Sequence, residues 1–107
     1  MATRRDFVTF LEDQLRDVCP VETRAMFGEY AIYHSGKVVA LVCDDRVFLK
    51  PTAAGRALLP GAAEAPPYPG ARPHLVLDAV IEDPARFAAL LVATAAELPT
   101  PKPRRRA

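Results

Sequence analysis

Residues 24–51, RAMFGEYAIYHSGKVVALVCDDRVFLKP, restrict the fold more than any other part of the chain. Tyr30 to His34, Lys37 to Cys43 and Arg46 to Lys50 each read as a strand, and only two residues separate each from the next. Ser35-Gly36 and Asp44-Asp45 supply the residues that tight hairpin turns need. The three segments therefore predict an antiparallel meander. Such a sheet usually has one apolar face, and here polar, aromatic and aliphatic side chains fall on both.

With two-residue loops at both turns, Tyr33 pairs with Val38, Ala31 with Ala40, Val42 with Val47 and Ala40 with Leu49. These side chains form one apolar face, the expected core. The opposite face carries Tyr30, Ile32, His34, Lys37, Val39, Leu41, Cys43, Arg46, Phe48 and Lys50. Its centre is apolar and its rim basic, which is the anatomy of a contact site. The same pattern allows three occupants: the chain's own proline-rich loop or short helix, a second copy, or another protein. Aromatics among basic residues also suit stacking of single-stranded bases, but Tyr30 and Phe48 are few rings for that purpose.

Helices flank the meander. Thr3 with Asp6 three residues on resembles a capping box, and Phe7, Phe10, Leu11, Leu15 and Val18 follow at helical spacing until Pro20. Arg24 to Phe27 can be extended, with Gly28 as a bend or bulge. Thr52 can cap a short helix ending before Pro60-Gly61. Residues 60–73 hold five prolines and read as an irregular loop. His74 to Val80 then reads as a strand. Asp83-Pro84 starts a closing helix with Phe87, Leu90, Leu91, Thr94 and Leu98 on one face, stopped by Pro99. The expectation is one α+β domain over residues 1–98, two-layered, with the N- and C-terminal helices packed on one face of an antiparallel sheet.

Charge divides the chain. Of its 107 residues, 14 are Lys or Arg and 13 Asp or Glu, yet Lys102, Arg104, Arg105 and Arg106 all lie in the tail 99–107, which is expected to be disordered. The body is left acidic, unlike a duplex-DNA binder, so nucleic acid is expected only through that tail. Cys19 and Cys43 have no ligand-spaced partners and read as reduced, partly buried thiols of a cytoplasmic protein. No apolar run reaches the ~18 residues of a membrane span, and the N-terminus lacks the apolar core of a signal peptide.

Catalytic spellings are missing: there is no GxSxG, HExxH, phosphate-cradling loop or nucleotide fingerprint. His34 and His74 read as partly exposed strand residues, and Asp44-Asp45 as turn chemistry. Cys43 has only Arg46 nearby to stabilise a thiolate. No catalytic residue, metal ligand or cofactor is expected, and the chain does not read as an enzyme.

The ordered features MFG, the Tyr30 and Tyr33 pair, the GK hairpin, the DD turn before FLK, and YPG at Tyr68 to Gly70 resemble the TfoX N-terminal domain family, over roughly residues 7–98. That family opens the TfoX/Sxy competence regulators. The resemblance implies a two-layer α/β fold like that of YjbR-like proteins and secretion chaperones, in a stand-alone member without the C-terminal domain. It implies no catalytic residue.

The expected function is that of a non-enzymatic regulatory or adaptor domain, binding a protein partner or a second copy through the sheet face. Tyr30, Ile32, Val39, Leu41, Arg46, Phe48 and Lys50 are the candidate contacts, with the loop Tyr68, Pro69 and Gly70 beside them. Truncating a central residue such as Phe48 should then weaken contact without unfolding the domain. The alternatives are a nucleic-acid-associated regulator using the tail and a small-molecule-binding domain.

Overall fold

A computed structural model describes residues 3–26 and 28–99. Helix α1 (Arg5–Leu15) leads into a meander of β1 (Glu22–Met26), β2 (Glu29–His34), β3 (Lys37–Cys43) and β4 (Arg46–Leu49). A short helix α2 (Ala53–Leu58), a two-residue strand β5 (Glu64–Ala65), β6 (His74–Leu77), a 3-10 turn (Ala79–Glu82) and helix α3 (Pro84–Glu97) complete the order. The strands form one antiparallel sheet in the order β1-β2-β3-β4-β6-β5. The domain is α+β with its terminal helices packed on one face, as the sequence predicts.

Local chemistry explains most element boundaries. Ser35 and Gly36 have φ of 54° and 76°, and Asp44 and Asp45 have 52° and 58°, the left-handed pairs that let two-residue turns follow the strand twist. The Asp83 carboxylate accepts from Arg86 N–H at 3.3 Å, and Pro84 occupies the first helical turn of α3. Thr52 Oγ1 accepts from Gly55 N–H at 3.0 Å and caps α2. Gly55 lies where α2 meets the sheet, and a Cβ there would stand 3.0 Å from Thr52 Oγ1 and 3.2 Å from a Leu49 methyl, closer than ordinary van der Waals contact. Two side chains satisfy open helix ends: Lys37 Nζ donates to the carbonyls of Ala95 and Leu98 at 2.7 and 3.1 Å, and Glu97 accepts from the N–H groups of Ala53 and Ala54.

The start of the chain departs from the capping-box expectation. Arg4 is the N-cap of α1 and makes no side-chain cap bond. Thr3 lies just before it, buried, with its hydroxyl 2.5 Å from Glu29 Oε1 and 3.1 Å from the Val42 carbonyl. It fastens the N-terminal segment to the sheet. The buried stripe of α1 is Val8, Leu11 and Leu15, whereas Phe10 and Val18 are exposed. An apolar side chain at helical spacing need not face the core when the helix covers only part of a sheet.

The register of β2 against β3 corrects the expected sorting of the two faces. Tyr33 pairs with Val38 and Ile32 with Ala40, so Val39 is an extra residue on β3. This bulge places Val39 and Ala40 both toward the helices and inverts β2 relative to the expected face. Tyr30 and Ile32 thus join the helix-covered core, while Ala31, Tyr33 and Val38 turn to the other face. The irregularity is compensated twice: fully buried Ile32 is seated under the helices instead of Ala31, and the Val39 carbonyl accepts from Lys50 N–H at 2.9 Å. Beyond the bulge the expected alternation holds, with Val42, Val47 and Leu49 facing the helices and Leu41, Cys43 and Phe48 facing away.

The main core lies between sheet and helices, with Leu11, Leu15, Val42, Leu75, Phe87 and Leu91 at its centre. A second cluster of Ala31, Leu41, Cys43, Phe48 and Val76 occupies the opposite face. Residues 60–73 are not wholly irregular: β5 pairs with β6 at the sheet edge, Ala65 packs against the second cluster, and Pro67 is buried. The expected strand through Val80 stops at Leu77 and gives way to the 3-10 turn.

Candidate partner-binding site

The second face is a cross-strand row. Ala31 on β2 stands opposite Leu41 on β3, Leu41 opposite Phe48 on β4, and Phe48 opposite Val76 on β6. Leu41 is 8% exposed and Phe48 5% exposed, so the row is a small core in its own right. The Arg46 guanidinium lies 6.0 Å from the Phe48 ring centroid and 3.5 Å from Asp78, while Arg24 stacks at 4.5 Å over Tyr33. Two basic side chains therefore lie over apolar rings with their charged heads near solvent.

Between the β1–β2 hairpin and the proline-rich segment, the face opens into a cavity of about 430 Å³. It is lined by Met26, Glu29, Tyr30, Leu41, Cys43, Pro67 and Tyr68. Met26 and Tyr68 are the exposed members, Tyr68 at 54%. A second depression lies on the other side of Tyr68, among Lys50, Arg72 and His74. Tyr68 thus stands between an apolar hollow and a basic one, held by a segment that follows the β5–β6 pairing.

The expected contact residues separate accordingly. Leu41, Arg46, Phe48, Lys50 and Tyr68 belong to this face, with Leu41 and Phe48 as its floor. Tyr30 packs against the main core, where the Arg5 guanidinium lies 5.8 Å from its ring, and Ile32 and Val39 are wholly buried there. Ile32 and Val39 do not share the expected surface, and Tyr30 reaches it only as a wall of the cavity. Pro69 and Gly70 are exposed in the turn after Tyr68, and Gly70 has φ of 89°. Lys102, Arg104, Arg105 and Arg106 lie outside the described residues. Sequence reasoning missed Met26 and Pro67 as walls of the cavity; the hydrophobic residue before FG and the PP before Tyr68 were their only traces.

The titratable groups supply little catalytic chemistry. Burial pushes both thiols up from their ordinary value, and the negative charge of Glu29 raises Cys43 further. His34 Nδ1 lies 3.2 Å from the Pro20 carbonyl and 3.6 Å from Cys19 Sγ. His74 is buried, not partly exposed, with Nδ1 2.9 Å from the Arg72 carbonyl. Among the described residues, no group of three or more His, Cys, Asp or Glu side chains is placed to hold a metal ion, and no helix is long and apolar enough to cross a membrane.

The thiol shifts carry a pH dependence. Each folded value is raised, so the associated stability is complete below the unfolded thiol value of ~8.5 and is lost as pH rises through the folded values. Urea unfolding between pH 7.5 and 9.5 should show stability falling with pH, and a Cys19→Ala/Cys43→Ala variant should flatten that limb. An equally steep fall in the variant would assign the effect to other groups.

A family model, the TfoX N-terminal domain, matches residues 13–98, spanning the meander, residues 60–73 and α3. The chain belongs to the TfoX N-terminal domain family. It is also 47% identical over 105 residues to an uncharacterised 12.7 kDa protein in the trpE 5′ region of Spirochaeta aurantia, a match covering 98% of this chain and 91% of that protein. Membership in the TfoX N-terminal domain family supports a domain of regulatory or adaptor type, and the family is not known as enzymatic.

Proposed function

We propose that the protein is a non-enzymatic regulatory or adaptor domain that binds a segment of a partner protein at Tyr68. The supporting observation is the position of that ring, exposed between the apolar cavity and the depression containing Lys50 and Arg72. The matching segment has an aromatic or long aliphatic side chain for the cavity and a neighbouring carboxylate for the basic side. Leu41 and Phe48 act from beneath as a rigid floor. The partner class is thus defined by its chemistry: an acidic segment with one apolar anchor.

Peptide display against the full chain tests this reading. Enriched peptides should pair an apolar anchor with Asp or Glu. Tyr68→Ala should weaken them about thirtyfold, the loss expected for a hot-spot residue of ~2 kcal/mol. Lys50→Glu should weaken them further while circular dichroism stays unchanged. Peptides indifferent to Tyr68→Ala would overturn the proposal. Binding to nucleic acid that falls steeply with salt and disappears on deleting residues 99–107 would favour the tail instead.

A further inference from the structure

The two edges of the sheet are unlike. At one end β5 has two residues, and Pro66 and Pro67 follow it, so that edge cannot be extended. At the other end β1 has five residues, and among the described residues only β2 pairs with it. Met26 and Glu29 close the β1–β2 turn, so the alternating ladder points the N–H and C=O of Glu22, Arg24 and Met26 toward β2 and those of Thr23 and Ala25 outward. Neither proline nor a bulge interrupts this strand.

Its side chains distinguish possible occupants. Glu22 and Arg24 lie on the same face of the strand, in contact with one another at 3.2 Å. If two copies of β1 pair antiparallel about a two-fold axis at Thr23, each Glu22 falls opposite the Arg24 of the other copy. Thr23 then exchanges both main-chain hydrogen bonds with its equivalent, and Ala25 exchanges two with Val21. Moving the axis to Arg24 would set two guanidinium groups against each other, which cross-strand pairing disfavours. The sequence Val21-Glu22-Thr23-Arg24-Ala25 is therefore self-complementary in charge about its centre.

We infer that β1 is a homodimerisation edge, joining two copies through Thr23-centred antiparallel pairing into a continuous sheet of twelve strands, twice the six of one chain. A second copy is the partner this charge pattern fits, because the same strand supplies both halves of each ion pair. The interface is isologous and closes on itself, leaving each terminal β5 as the new edge. The pairing uses residues 21–25 and meets the site at Tyr68 only through Met26, which ends the same strand and lines that cavity.

Light scattering over a concentration series on the full chain provides the test. The wild type should reach twice the chain mass, and Ala25→Pro, which removes an outward N–H, should remain a folded monomer. Glu22→Arg and Arg24→Glu should each weaken dimerisation about tenfold or more, by setting like charges opposite each other. An equimolar mixture of those two variants should dimerise again, because one chain then presents two guanidinium groups and the other two carboxylates, with opposite charges facing at both pairs. An intramolecular role for the pair could not produce that rescue. A monomeric wild type, a dimer indifferent to Ala25→Pro, or a mixture that stays monomeric would each overturn the inference.

Discussion

Phe48→Asp is expected to unfold the domain or bring it close to unfolding. Phe48 is 5% exposed and lies in the row between Leu41 and Val76. Removing its ring forfeits up to ~3 kcal/mol of apolar burial. The replacement carboxylate sits among Leu41 and Val76, with only the weak thiol donor of Cys43 in that row and the Arg46 guanidinium held over the rim, adding roughly 1–3 kcal/mol even if it takes up a proton. A total of about 4–6 kcal/mol is comparable to the whole stability of a small domain. Thermal unfolding should show a Tm lowered by roughly 20 °C or more, if a transition survives. Phe48→Leu should remain folded. A Phe48→Asp variant with the wild-type Tm would mean that this face is a surface and not a core.

That outcome reverses the expectation that Phe48 could be cut back without structural cost. Tyr68→Ala is the appropriate probe of contact, because Tyr68 is exposed and truncating it leaves the buried row intact.

The second large effect is expected at Glu29. One oxygen, Oε1, lies 3.0 Å from Thr3 N, 2.5 Å from Thr3 Oγ1 and 3.2 Å from Asp44 N. It thereby connects the segment before α1 to the β1–β2 hairpin and the β3–β4 turn. Nearby, Asp45 Oδ1 accepts from Arg4 N–H at 2.8 Å, so the acidic turn also holds the entrance to α1. Glu29→Ala removes an ionised acceptor and leaves partly buried donors without it, at a cost of about 2–4 kcal/mol. Urea titration should show that loss as a lower midpoint, with Glu29→Gln in between because its carbonyl still accepts. A Glu29→Ala midpoint equal to that of the wild type would remove this carboxylate from the set of groups holding the N-terminus.

Much of the architecture was legible because it rests on local chemistry. Ser35-Gly36, Asp44-Asp45 and Asp83-Pro84 specify backbone geometry within a few residues, and the turns and α3 begin where those residues stand. The bulge at Val39 was not legible. An extra residue within KVVALVC preserves plausible alternation on either side, and only the competition between Ile32 and Ala31 for space under the helices selects the register. Thr3 carries the spelling of a cap, but its partners Glu29 and Val42 are distant in sequence. The cavity is equally nonlocal, since Met26, Leu41 and Tyr68 come from three separate segments. The family signature was readable throughout its span, although it did not indicate which face each aromatic side chain would occupy.

The strand order separates local from distant contacts. β1 to β4 join through near neighbours, but β6 docks on β4 only after residues 50–73 have looped back. Loop closure of that kind delays contacts between distant segments. A chain caught between those stages has its meander but lacks β5, β6 and α3, with Leu41 and Phe48 open to water. The helices have not closed over Val42, Val47 and Leu49 at that stage either, so both faces of the meander stay open to other unfolded chains until residues 50–97 dock.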